Sequence, residues 1–161
     1  MRESIGTTWI FQLVIIFTLI FVAFLALSIN YTRAFKIKNE IVTIMEKYEG
    51  VGTGEGQSLS IINNYLLNNA YGIKSACHEG EFGALTLKDT TLEYVNTDSR
   101  NKKYYYCIKP IPTTSMAKQD QYRFNIRIFF KFSLPIIGDL MTFSIDGTTI
   151  DIVNANTSGL Y

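Results

Sequence analysis

Residues 8–29 carry no charge, and that run restricts this chain more than any other feature in it. The polar residues in it or just ahead of it are Thr7, Thr8, Gln12, Thr18 and Ser28. At about 1.5 Å per residue, a helix of this length crosses the ~30 Å hydrocarbon layer of a bilayer with little to spare. Trp9 and Tyr31 stand near its two ends, where amphipathic rings favour the headgroup layer. The rest of a 161-residue chain cannot cover such a helix on every side, which argues against a buried core helix. A removable signal sequence is the closer rival, since Arg2 supplies a basic head and Ala26-Leu27-Ser28 loosely resembles a cleavage site. The run is longer than the apolar core of such signals, usually about 7–15 residues, so an anchor that stays is expected.

The helix does not stop at the membrane. Ile37, Ile41, Ile44 and Tyr48 recur at four- and three-residue steps, which places them on one helical face. Lys36, Lys38, Glu40, Glu46 and Lys47 fall largely elsewhere. One long helix is therefore expected from about residue 7 to about residue 48, apolar all round at first and amphipathic afterwards. Four glycines in residues 50–56 end it. The expected organisation is an anchor and stalk over residues 1–49, a glycine-rich hinge over 50–57, and a domain over 58–161.

Ser58 suits the N-cap of a second helix with Leu59, Ile62, Leu66 and Ala70 as its apolar stripe and Gly72 closing it. Its asparagines (Asn63, Asn64, Asn68 and Asn69) read as a solvated face. From Glu81 onward the period changes to two. Strands are expected at residues 82–87, 91–95 and 103–108, with a polar loop over 96–102. Tyr122 to Phe129 alternates, with Phe124, Ile126 and Ile128 on one side. Leu134-Pro135-Ile136-Ile137-Gly138 interrupts the pattern, because proline cannot donate to a ladder. Residues 143–145 and 149–153 flank Asp146-Gly147, a dipeptide suited to a tight turn. An antiparallel meander packed on two helices makes the fold class α+β.

Sidedness is contested within the sequence. Arg33, Lys36 and Lys38 follow the run while only Arg2 precedes it, so the excess of basic residues alone puts the domain in the cytoplasm. Cys77 and Cys107 argue the other way. They are the only cysteines, each lies beside an expected strand, and neither belongs to a CxxC or metal-ligand cluster. A single pair in a small anchored domain fits one structural disulfide, which persists in an oxidising compartment. We read the domain as extracytoplasmic on a single-pass anchor in the cytoplasmic membrane.

Charge points to no polyanionic partner, since fifteen basic residues nearly cancel fourteen acidic ones. No GxGxxG, P-loop, GxSxG or HExxH is present. His78 adjoins Cys77, but neighbours in sequence rarely face each other, and a disulfide would consume the thiol. Asp139, Asp146 and Asp151 read as turn-forming or solvent-facing. Arg123, Arg127 and Lys131 interleave with aromatics as a nucleic-acid platform would, but the outward face of an amphipathic sheet explains them. No catalytic residue, metal, cofactor, small-molecule substrate or nucleic-acid partner is expected.

A short head, an apolar helix and Tyr31-Thr32-Arg33-Ala34-Phe35 leading into an amphipathic extension resemble the TadE/TadF-type pseudopilins of tight-adherence (Flp) pilus systems. The block from Arg127 through Leu134-Pro135 to Thr148 is similar to their final strand–Leu-Pro–strand segment. The resemblance implies a pilin-like fold and a non-enzymatic role as a minor pilin or pilus-assembly component. It also implies partners among other membrane helices. Gly6 occupies the place of the glycine before a prepilin-peptidase site, which would make Thr7 the new N-terminus. The glutamate usual shortly after that site is absent, and the first polar group within the helix is Gln12. Gln12, Ile37, Ile41 and Ile44 are the expected helix-packing residues, the three isoleucines supplying most of the contact. A membrane-tethered binding or sensor module is the alternative reading.

Overall fold

The computed structural model describes residues 2–114, 120–134 and 138–160. Helix α1 (Arg2–Lys47) is one uninterrupted element, as the change from all-round to one-sided apolar patterning predicts. It ends in a Schellman motif: Gly50 N–H reaches the Met45 carbonyl, Glu49 N–H reaches that of Glu46, and Glu49 is left-handed at φ 55°. The Leu-Pro interruption expected at residues 134–138 falls partly on Pro135, Ile136 and Ile137, which lie outside the described residues.

Helix α2 (Ser58–Asn68) starts one residue earlier than expected, with Gln57 rather than Ser58 at the N-cap. Ser58 does not cap it; its Oγ accepts the Gly52 N–H at 2.8 Å and so ties the helix to the glycine-rich segment. That segment is no free hinge at its start. Val51 is fully buried, exchanges backbone hydrogen bonds with Asn156 and Gly159, and joins the same core as α1. Residues 1–49 and 58–161 therefore share one core where they meet. At the other end α2 closes at Asn69, with Ala70 left-handed at φ 49°, two residues before Gly72.

The strands are β1 (Phe82–Gly83), β2 (Glu93–Tyr94), β3 (Tyr106–Thr114), β4 (Asp120–Leu134), β5 (Gly138–Thr148) and β6 (Ile152–Val153). They form an antiparallel sheet in the order β2-β1-β3-β4-β5, with β6 pairing β4 beyond the end of β5. The first two strands are far shorter than the patterning suggested, and the 96–102 loop contains a 3₁₀ turn whose N-cap, Asn96, accepts from Asp98 and Ser99. The turn expected at Asp146-Gly147 does not form. β5 runs straight through both residues, because Gly147 is where α1 crosses the sheet: a Cβ there would collide with Lys38 Cδ. Between the Asn125–Thr148 and Tyr122–Ile152 pairs the β6 side carries one extra residue, a bulge in which the Ile150 N–H bonds to Glu46.

Alternation in β4 holds as expected. Phe124, Ile126 and Ile128 are fully buried and meet Ile37, Ile41 and Met45 of α1, with Leu59, Ile62 and Leu66 of α2 completing the core. A second, smaller core lies on the other face, formed by Cys77, Val95, Tyr104, Cys107 and Phe129.

Candidate functional site

Two features distinguish this molecule chemically: the apolar half of α1 and the way the domain grips the other half. Residues 8–29 form the most apolar stretch of a helix long enough to cross a membrane, and none of that stretch is buried by the chain. Trp9, Phe17 and Phe24 are all about two-thirds exposed or more. The hydroxyls here answer to the helix itself, Thr18 donating to the Val14 carbonyl and Thr32 to that of Ser28, each at 2.8 Å. Such pairing suits a medium without water. Gln12 is exposed. Gly6 and Thr7 lie within α1, where the backbone alone is described.

Ile37, Ile41 and Ile44 do pack, but not outward. All three are buried by the chain's own sheet and α2, Ile41 completely. The expectation that they supply contact with a neighbouring subunit is corrected accordingly: their burial is already complete within one chain.

The disulfide forms as expected, Cys77 to Cys107 across 30 positions with Cα atoms 5.7 Å apart. It pins the segment after α2 to the start of β3, within the second core. Glu81 lies close enough to both sulfurs to suggest a ligand cluster. The sulfurs are bonded to each other, however, and the carboxylate is held by Arg127 at 2.9 Å and by the His78 N–H at 2.8 Å. No open donor set results. His78 contributes its backbone there, and its ring forms no pair with a thiol.

Arg127 is not the solvent-facing residue its alternation suggested. Its side chain is only 12% exposed and grips Glu81 on one side and Asp146 on the other, at 2.7 Å. Asp146 and Asp151 serve as arginine partners, the latter to Arg123 at 3.0 Å. Asn63, too, departs from the solvated face its spacing suggested. It is buried, donates to the Asp89 carbonyl and accepts from the Tyr106 hydroxyl at 3.0 Å. Burial, with Asp89 nearby, raises the Tyr106 phenol well above its ordinary range.

Tyr71 is a structural residue that no local pattern marks. Its hydroxyl donates to the Phe129 carbonyl at 2.8 Å and accepts the Phe129 N–H at 2.9 Å, standing in for a strand residue just before β3 begins beside β4. Desolvation raises its phenol as well. Next to it, a cleft of about 180 Å³ opens between α1 and β4, with Arg33 and Lys131 in its lining. Arg33 also donates to the Asn69 carbonyl at the end of α2. No family model, curated protein or solved structure matches this chain.

Proposed function

We propose that this chain is a non-catalytic, membrane-anchored, pilin-like subunit whose domain lies outside the cytoplasm and which works by packing its apolar helix against those of neighbouring subunits. One observation carries the reading: a single 46-residue helix has an apolar first half that the chain leaves unburied and a second half that lies in the domain's core. A rod continuous with the core transmits position rigidly from membrane to domain, as a subunit of an assembly requires. The disulfide supports an oxidising, extracytoplasmic location over the side indicated by the basic residues. The resemblance to TadE/TadF-type pseudopilins supports a place in a pilus or secretion assembly.

Because the isoleucine face is occupied internally, contacts between subunits belong to residues 8–29, where Gln12 orients more than it stabilises. Interhelical hydrogen bonds in membranes average only about 0.6 kcal/mol. The test is photo-crosslinking in native membranes from Phe17 and from Ile37. Capture of other single-pass pilus components at Phe17, with only intramolecular products at Ile37, is the expected result. N-terminal sequencing beginning at Thr7 would add prepilin-type processing at Gly6. The second reading, a tethered binding module, draws on the cleft beside Arg33. It gains if Phe17 captures nothing while the domain binds a ligand on its own.

A further inference from the structure

Strands β4 and β5 lead toward the membrane end of α1, and contacts along them measure how far they go. The Ile150 N–H, just past β5, bonds to Glu46. Gly147 abuts Lys38 and Val42. Phe130 meets Tyr31 edge-on with ring centroids 6.0 Å apart. Phe130 and Phe143 then line a groove with Phe24, Leu27 and Tyr31. Each step along the hairpin toward its turn is therefore a step toward the N-terminus of α1.

Phe24 and Leu27 already belong to the uncharged run. The Phe132–Met141 pair lies two residues beyond Phe130–Phe143, about 7 Å further down at the rise of a strand. Residues directly opposite each other share a face, so these four side chains form one apolar block. Lys131, Thr142 and Ser144 take the other face. Phe130 is buried, but the β5 half of the block is not covered by the chain: Met141 is 63% exposed and Phe143 41%.

We propose that this end of the hairpin is a second membrane contact, with Phe132, Met141 and Phe143 set into the leaflet on the domain's side next to Phe24 and Leu27. The proposal rests on residues 8–29 spanning the bilayer and is independent of any role in a pilus. Lipid is the occupant because the groove is continuous with the run: its floor is the same helical surface that faces acyl chains one turn below. Depth follows from the backbone. Among the described residues β5 has no strand partner on its outer side, and open strand edges are excluded from the hydrocarbon centre. The block therefore sits at the boundary between headgroups and acyl chains, where apolar side chains are buried and water still reaches the strand edges. Arg33 and Lys131, in the cleft between α1 and β4, are long cations suited to reach phosphates from there. Held at two elements, the domain cannot swing freely about the point where α1 leaves the bilayer.

The full chain in vesicles of phosphatidylcholine and phosphatidylglycerol provides the test, with one environment-sensitive fluorophore on Met141→Cys, Ile20→Cys or Ile150→Cys. The native cysteines are bonded to each other and leave the new thiol to take the label. At position 141 the expected result is a blue-shifted emission, loss of quenching by aqueous iodide, and strong quenching by a nitroxide attached near the lipid headgroup. Phe143→Cys should show the same signature at shallower depth. Position 20 should respond to a nitroxide near the chain end and position 150 to iodide alone. Iodide quenching at both 141 and 143, with 20 still inside the bilayer, overturns the proposal and leaves the anchor standing. Iodide quenching at 20 overturns the anchor and the proposal together. Protection of 141 from both iodide and lipid nitroxides overturns it in favour of a protein cover, such as a second copy's helix.

Discussion

Within α1, residues 8–29 and the stretch following Arg33 are one continuous helix built largely from the same apolar residue types. In the first, Val22 at 42% and Trp9 at 72% bracket the exposure of the large side chains outside the chain's own contacts. In the second, Ala34, Ile37, Ile41, Ile44 and Met45 are all at or below 6%. What separates them is the arrangement of charge. The first half has no polar face, so no protein surface of this size can cover it; the second has a stripe, which a sheet can cover, and lysines and glutamates turned away from it. One unbroken helix thus carries two kinds of surface, the first suited to a hydrocarbon medium and the second to a protein core.

Removing the first half is the strongest way to test that division. A chain starting at Asn30 should fold in water with its disulfide formed, while the full chain resists carbonate extraction. Transfer of some twenty apolar side chains is on the order of 30 kcal/mol, far beyond any peripheral contact. A truncated chain that aggregates or lacks the disulfide would mean that residues 2–29 are part of the domain's fold.

The same comparison can be made at single positions. Ile41→Ala leaves a cavity at a fully buried site and should lower domain stability by about 2–5 kcal/mol in denaturant unfolding of the solubilised protein. Ile16→Ala, in the same helix with the same chemistry, should leave that transition where it is. Equal losses at both would show that the halves are energetically one unit.

Replacing both cysteines by serine opens a loop of 30 positions, worth on the order of 3 kcal/mol in the chain-entropy model. The domain should unfold at lower denaturant, while retention in the membrane is unchanged. A loss of membrane retention would tie the anchor to the redox state of the domain.

Alkaline pH gives the finest division. Tyr71 and Tyr106 have phenols raised above the ordinary 10.0 by burial. The unfolded chain sheds those protons first, so their contribution is intact below pH 10 and is lost as pH rises further. The unfolding free energy should fall above that point, by up to about 1.4 kcal/mol per pH unit for each tyrosine. Tyr71→Phe should make the decline shallower and cost about 1–3 kcal/mol at neutral pH, because the Phe129 N–H and C=O lose their partner. An unchanged slope in that variant would remove Tyr71 from the account.

Sequence by itself determined the elements whose signal is local. An uncharged run, a four-and-three spacing of isoleucines and a cluster of glycines suffice for α1 and its end, and strict alternation suffices for the buried face of β4. The α+β class and the pairing of the only two cysteines follow from the same kind of reasoning. Tertiary structure decided everything that depends on which surface meets which. Asp146-Gly147 has the composition of a turn, but the glycine is needed for α1 to approach, and a close crossing and a turn demand the same residue. Arg127 and Asn63 sit where periodicity puts polar groups outside, yet partners distant in sequence, Glu81 and Tyr106, make burial tolerable by satisfying them. The isoleucine stripe could have served a neighbour as well as its own sheet, since hydrophobic burial is non-directional. Only the path of β4 alongside α1 assigns it to the sheet and leaves the apolar half of the helix uncovered by the chain.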